Sequence, residues 1–524
     1  MSGAFAAALS ALLAMALVLV NVPGCSSPRR AETQRRRANL ILVTLDTLRA
    51  DHVGCYGWER AKTPALDGFA RDAIRFDDCF TPISLTTPSH LSLMTGVLPY
   101  EHGVLANSLM LSGGRGADPF VPYAGLQTIA QLARAQGYRT GGFVSAAPLK
   151  RATGIDVGFE RFTEPEGERR DGGVTVGDAQ AWLDSIGAAP FFLWIHLFEA
   201  HGPYRPPDHP RAELLAEFAE KSPQQEAALF ARLRERGIVP ANGDASDGKQ
   251  ADLKQVIGAI DLYDASVAQL DERVGELFAD LRARGLWDAS TIVVIGDHGQ
   301  GLGQHDDPGH GRLWNEQLRV PFLLKPARRG GSEATAAAAH FGPGRVVLER
   351  VATIDALPTA LAVTPGFDAA PFLAQCTGKA VGLDGARPDE GSRPDDGSRS
   401  LYALVARQRK LEPADAIVVG RHKYVRGRLG EKGEQLFDLS LDPFELDDLA
   451  ESAEPALLES LRRRLDEWRE EQEQRRARFV ASGPLPASGE VDETERERLR
   501  KQLEKLGYTT DDGGADGHRD DGDE

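Results

Sequence analysis

Three apolar runs in this chain each stop on residues that can bind a metal or move a proton. Asn39-Leu40-Ile41-Leu42-Val43-Thr44-Leu45 ends at Asp46. Phe191-Phe192-Leu193-Trp194-Ile195 ends at His196 and leads on to Glu199 and His201. Thr291-Ile292-Val293-Val294-Ile295 ends at Gly296-Asp297-His298. The runs lack the polar/apolar alternation of a half-exposed strand, so each reads as a strand buried on both faces of a parallel sheet. Ligands in open α/β sheets bind at the C-terminal edge of the strands, where all three runs place their polar residues. Helical patterns at 126–136 and 259–284 separate the strands. The alternation predicts an α/β fold with a mostly parallel sheet flanked by helices.

The chain has 524 residues, room for one large α/β domain and a smaller one. The predicted catalytic domain spans 39–370. Residues 371–400 are rich in Gly, Asp, Arg and Ser in their second half and read as a linker or loop. A C-terminal α+β subdomain follows over 401–485, with strand-like segments at 401–406, 416–425 and 434–439 and a charged amphipathic helix at 455–478. The stretch 205–255 is polar and helix-prone and reads as an insertion or lid over the site. Residues 486–524 read as a helix and a disordered acidic tail. The net charge of −17 argues against a nucleic-acid binder, which would show a basic face.

Residues 4–22 are apolar, and Val22-Pro23-Gly24-Cys25 follows. This resembles a bacterial lipoprotein leader over 1–24, with a lipid on Cys25, a charged linker over 25–38 and export to the periplasm or outer membrane. The alternative is an uncleaved membrane anchor, because residues 1–3 carry no Lys or Arg while Arg29, Arg30 and Arg35–Arg37 follow the run. Cys55, Cys79 and Cys376 have no metal-type spacing and allow at most one disulfide.

Asp46, Asp297 and His298 suit Zn²⁺, Mn²⁺ or a harder ion such as Mg²⁺ or Ca²⁺. A strand-end Asp alone more often caps the next helix; three such residues at one sheet edge point to a metal. In Ser84-Leu85-Thr86-Thr87-Pro88-Ser89-His90, Pro88 suits a first helical turn and apolar residues at helical spacing follow. Thr86 is thus predicted just before a helix N-terminus, where free N–H groups favour an anion and an ionised hydroxyl.

These segments resemble the sulfatase family of the alkaline phosphatase superfamily. The family's signature, Cys- or Ser-x-Pro-Ser-Arg followed by Thr-Gly, is similar to Thr86-Thr87-Pro88-Ser89-His90 … Thr95-Gly96. Asp46 to Gly57 resembles the first metal strand, and Asp297-His298-Gly299 … Gln304-His305 the second. Gln317 to Pro321, Ile354 to Thr359 and Leu436 to Leu449 match further segments, over roughly 38–480 in the family's order. The resemblance implies a sulfatase-like fold and a metal held by Asp46, Thr86, Asp297 and His298.

The departures redirect the chemistry. Sulfatases hydrate a formylglycine made from Cys or Ser, and threonine cannot give that aldehyde. His90 stands for the signature's Arg, Thr47 for the second of paired aspartates, and His310 for a Lys. Threonine-nucleophile phosphodiesterases and phosphoethanolamine transferases of the superfamily are similar. The resemblance to the transferases implies roles for two histidines five apart, His196 and His201, and for one twelve beyond His298, His310. The resemblance to the phosphodiesterases implies an oxyanion contact at Asn107. The catalytic set is therefore Thr86, His201, His310 and Asn107, with His196, Glu199, His201 and His310 as an alternative second metal site, giving one or two divalent ions. His52, His90 and His102 read as structural. The expected substrate is an anionic ester, with phosphoryl transfer favoured. The alternatives are sulfate-ester hydrolysis without formylglycine and a binding protein that kept the fold.

Overall fold

The computed structural model describes residues 37–107, 119–206, 253–303, 305, 309–328, 344–382, 400–405, 413–427, 433–485 and 493–506. The leader, Cys25, the acidic tail, and most of the insertion at 205–255 and the loop at 377–400 lie outside the described residues. No described helix is long and apolar enough to cross a membrane.

The first apolar run is strand β1, Asn39–Leu45, with every residue buried. Along the chain follow β2 (Ile74–Phe80), β3 (Arg139–Val144), β4 (Arg161–Thr163), β5 (Phe191–Leu197), β6 (Ser290–Gly296), β7 (Arg319–Lys325), β8 (Arg345–Val347) and β9 (Val351–Ala352). The sheet order is β4-β3-β5-β1-β6-β7-β2-β8, with β9 also on β2. All pairings are parallel except those of β7, which runs antiparallel to β6 and β2. The second apolar run is β5 and includes His196; the third is β6.

The side-chain period of two decides what faces what. Ile41, Val43, Leu193, Ile195, Ile292 and Val294 enter one core with Val267, Leu270, Val274 and Leu277 of a long helix. Leu40, Leu42, Phe192, Trp194, Val293 and Ile295 enter the other, against Leu91, Leu93 and Met94. Asp46, His196 and Asp297 continue this second row by parity. The register sets Leu45 opposite both Leu197 and Gly296, so the polar residues leave the sheet at one level.

The helices that position the site are α1 (Pro64–Asp72), α2 (Thr86–Thr95), α3 (Ile129–Ala135), α4 (Gly172–Ile186) and α5 (Leu253–Ala283). Thr128 caps α3 by accepting from Gln131 N while Gln131 reaches back to Thr128 N, which fixes its start three residues after the expected 126. Helix α5 begins six residues before the expected 259 and ends ahead of Gly285, whose φ of 67° a side chain would oppose.

A second, antiparallel sheet joins β10 (Leu401–Val405), β11 (Ala414–Val419), β12 (His422–Arg426) and β13 (Glu434–Asp438). The single strand expected over 416–425 is in fact two. The chain reverses at Gly420 and Arg421, with Val419 paired to His422. Strand-forming residues on either side of the turn, Ile417 to Val419 and Tyr424 to Val425, masked the reversal. Leu458, Leu461, Leu465 and Trp468 of α6 (Pro455–Ala481) cover this sheet. A last helix, α7 (Glu493–Lys505), sets Leu499 and Leu503 against Ala147. Cys55, Cys79 and Cys376 are free thiols.

Lys325, at the end of β7, is fully buried with Nζ donating to Trp287 O at 2.7 Å. Burial pushes its ammonium down to about 8 from 10.5. Between those values the unfolded chain holds the proton that the folded chain has lost, so stability rises with pH there; below pH 8 the full penalty applies. Lys325→Met is expected to stabilise the protein at pH 7 by about 1–2 kcal/mol, after the lost hydrogen bonds are counted. In thermal melts the gain should shrink as pH rises from 8 towards 10.5; a gain independent of pH would refute this account.

Candidate active site

Asp46 follows β1 and Asp297 and His298 follow β6. One ligand atom from each lies within 4.8 Å of the others, and all three residues are buried. Asp297 Oδ1 accepts from the backbone N–H of Thr47 at 3.0 Å and of His298 at 2.7 Å. Thr47 reaches this position only with φ at 54°, a conformation that β-branched residues rarely adopt. Asp297 Oδ2 and Asp46 Oδ1 find no hydrogen-bond partner among the described residues. Burial pushes both carboxyls well above their usual range, and Asp46 beside Asp297 adds to the effect on Asp297. A divalent cation is the group that would reverse both shifts and use both bare oxygens. The donor set of two carboxylates and one imidazole fits such an ion.

Thr86 is the first residue of α2, one position further into the helix than expected. It has no exposed surface, and its Oγ1 lies 3.4 Å from His298 Nε2. Three supports hold the turn. His90 Nδ1 donates to Thr86 O at 2.8 Å, and its Nε2 meets Thr44 Oγ1 at 2.9 Å. Thr44 Oγ1 accepts from Trp194 Nε1 at 3.0 Å. Thr87 Oγ1 donates to Pro148 O at 2.6 Å. His90 was expected to be structural; it buttresses the Thr86 turn and also lies 3.5 Å from Asp297 Oδ2. Thr44, two residues before Asp46 on the same strand face, was missed. A hydroxyl at that spacing in an apolar run was the available signal.

His196 turns toward Asp46. Its Nδ1 accepts from Ser145 N at 3.3 Å, which leaves the proton on Nε2, 3.0 Å from Asp46 Oδ2. This is the arrangement of a residue that orients a metal ligand. Glu199 accepts from Gly172 N at 2.6 Å, at the start of α4, and from Phe198 N at 3.1 Å. His201 and His310 do meet, with Nε2 atoms 3.2 Å apart. The alternative second ligand set of His196, Glu199, His201 and His310 therefore does not gather at one point. The first is drawn to Asp46, the second to a helix N-terminus, and only the last two adjoin.

His298, His310 and His201 form a row. The His298 and His310 rings are 4.6 Å apart, and those of His310 and His201 are 5.3 Å apart. Each Nδ1 donates to a carbonyl: Gly299 O at 2.9 Å, Ser84 O at 3.0 Å and Gly202 O at 2.5 Å. Burial pushes His298 and His310 down to about 3 and His201 well below its usual value. Asn107 Oδ1 accepts from Thr87 N at 2.8 Å in the first turn of α2. Its buried Nδ2 has no partner among the described residues and is a donor available beside Thr86. His52 pairs with Asp264 and His102 with Ser92, both away from this row.

A family model described as Sulfatase matches residues 38–367. The chain belongs to the sulfatase family. It is 27% identical over 390 residues to Arylsulfatase A of Homo sapiens, a match covering 66% of this chain and 69% of that protein. It is 25% identical over 357 residues to the multifunctional alkaline phosphatase superfamily protein PehA of Trinickia caryophylli, covering 56% and 68%. The phosphonate monoester hydrolase of Agrobacterium radiobacter superposes with a TM-score of 0.56 at 20% identity, over 86% of this chain and all of that one. The protein is thus a sulfatase-family hydrolase of the alkaline phosphatase superfamily. Members of this family typically depend on a divalent metal.

Protein stripped with EDTA is expected to gain about 2–4 °C in melting temperature at hundredfold Mn²⁺ or Zn²⁺ over Kd. Asp297→Asn keeps the acceptor for Thr47 N–H and removes one of two crowded carboxylates. It should melt no lower than the stripped parent and lose the metal response. A variant that still responds to metal would remove Asp297 from the ligand set.

Proposed function

We propose that the protein cleaves or transfers phosphoester groups, with Thr86 as nucleophile. The observation that carries this reading is a buried threonine hydroxyl at the first position of a helix, 3.4 Å from His298 Nε2 and beside Asp46, where the family signature has Cys or Ser. Asp46, Asp297, His298 and Thr86 would hold a divalent ion such as Zn²⁺, Mn²⁺, Mg²⁺ or Ca²⁺. When bound, that ion lowers the pKa of a hydroxyl and offsets phosphoryl charge.

The chain's own residues supply the rest. Asn107 Nδ2 donates to a non-bridging oxygen of the ester. Thr86 Oγ gives its proton to solvent, and the resulting alkoxide bonds to phosphorus as the bond to the leaving oxygen breaks, giving a phosphothreonine. Burial favours the neutral form of His201 and His310. A bound anion favours a proton held between their facing Nε2 atoms, and that proton passes to the leaving oxygen. Water or an acceptor alcohol then attacks phosphorus and gives its proton to the His201–His310 pair, and the bond from phosphorus to Thr86 Oγ breaks to restore Thr86.

Sulfate-ester hydrolysis without formylglycine is the second reading, favoured by the likeness to Arylsulfatase A. The two are separated by assaying aryl sulfates, phosphate mono- and diesters and phosphonate monoesters with added Mn²⁺ or Zn²⁺. Phosphorus esters are expected to turn over fastest. Thr86→Ala is expected to lower kcat by about a thousandfold, and Thr86→Ser to retain measurable activity. Robust sulfatase turnover that survives Thr86→Ala would sink this mechanism.

A further inference from the structure

The polar contacts beneath the His310 segment converge on one ion pair in the C-terminal sheet. Lys423 on β12 and Glu445, in the loop after β13, have no exposed side-chain surface, and their charged groups touch. Lys423 Nζ also donates to Leu313 O and, at 3.1 Å, to Asn315 Oδ1. A Glu445 oxygen accepts from Asn315 N at 2.6 Å. Asn315 Nδ2 donates to Pro443 O at 2.9 Å. All of these contacts fall on residues 313–315.

The other end of the same segment is tied to Ser84. His310 Nδ1 donates to Ser84 O, Gly311 N donates to Ser84 Oγ at 3.2 Å, and Ser84 Oγ donates to Arg312 O at 2.6 Å. Residues 310–315 therefore form a strap between the turn before Thr86 and the ion pair. Taking two charges out of water costs about as much as their attraction returns, and a well-packed apolar pair of similar volume is often as stable. An apolar pair could fill this space beside Leu313 and Phe437. It could not grip Leu313 O and Asn315 N, and so could not fix where the strap lies.

We propose that the Lys423–Glu445 pair is a positioning device that sets His310 against the Thr86 turn from the C-terminal sheet. This rests on the reading above, in which His310 assists the leaving group. Full-length, metal-loaded protein carrying Lys423→Met with Glu445→Leu tests it. Melting temperature and metal content should stay close to the parent's, while kcat falls about tenfold or more, as misplacement of a reacting group predicts. The loss should grow as the leaving group becomes more basic, and His310→Ala should already contain it, so that adding the pair replacement to His310→Ala costs nothing further. Should the double replacement not fold, Asn315→Ala removes the two side-chain links, to Lys423 and to Pro443, and leaves the ion pair. It should lower kcat about threefold, with the same absence of further loss on His310→Ala. An unchanged kcat in the folded variant overturns the inference, as does a loss that adds to that of His310→Ala. If His310→Ala itself leaves kcat unchanged, the leaving-group role of His310 fails, and this inference with it.

Discussion

Two carboxylates without exposed surface, Asp46 and Asp297, face each other at the ends of adjacent parallel strands. Neither finds a lysine or arginine partner, and each keeps a bare oxygen among the described residues. Burying two such groups together is unfavourable unless a cation or protons neutralise them. Much of the surrounding structure works to keep them there. Thr47 adopts a left-handed backbone to aim its N–H at Asp297, and His196 is fixed in one tautomer to hold Asp46. A divalent ion would neutralise the crowded carboxylates that these residues hold in place.

The same second row of side chains links the core to the chemistry. Residues 40, 42 and 44 on β1 run from apolar packing against α2 to a hydroxyl that bonds His90, and residue 46 delivers the carboxylate. Helix α2 is therefore held to the sheet by Leu91, Leu93 and Met94 at its middle and by polar bonds at its start. Apolar burial of about 1.5–3 kcal/mol per large side chain anchors the helix. The polar bonds, each contributing about 1 kcal/mol net, fix its rotation and hence the direction of Thr86.

Much of this was legible before the fold. Apolar runs marked β1, β5 and β6, and the polar residues at their ends gave the edge at which those groups meet. Pro88 and the spacing after it marked α2 to within one residue. What the residues did not disclose was which neighbour each polar side chain chooses. Glu199 and His196 share one segment, yet Gly172 N–H claims the first and Asp46 the second. Those choices depend on α4 and on Ser145, far away in sequence. The hairpin at Gly420 was hidden for a different reason, because residues that suit a strand continue on both sides of a two-residue turn.

The complete burial of Thr86 bears on how such a protein comes into use. A nucleophile that must first be oxidised at this depth has to be reached by its modifying enzyme before the chain closes over it. Maturation then competes with folding and with passage through any membrane. A threonine at the first position of α2 removes that ordering. Under the proposed mechanism the unaltered translated chain needs only to fold and take up an ion, in whatever host or compartment that happens.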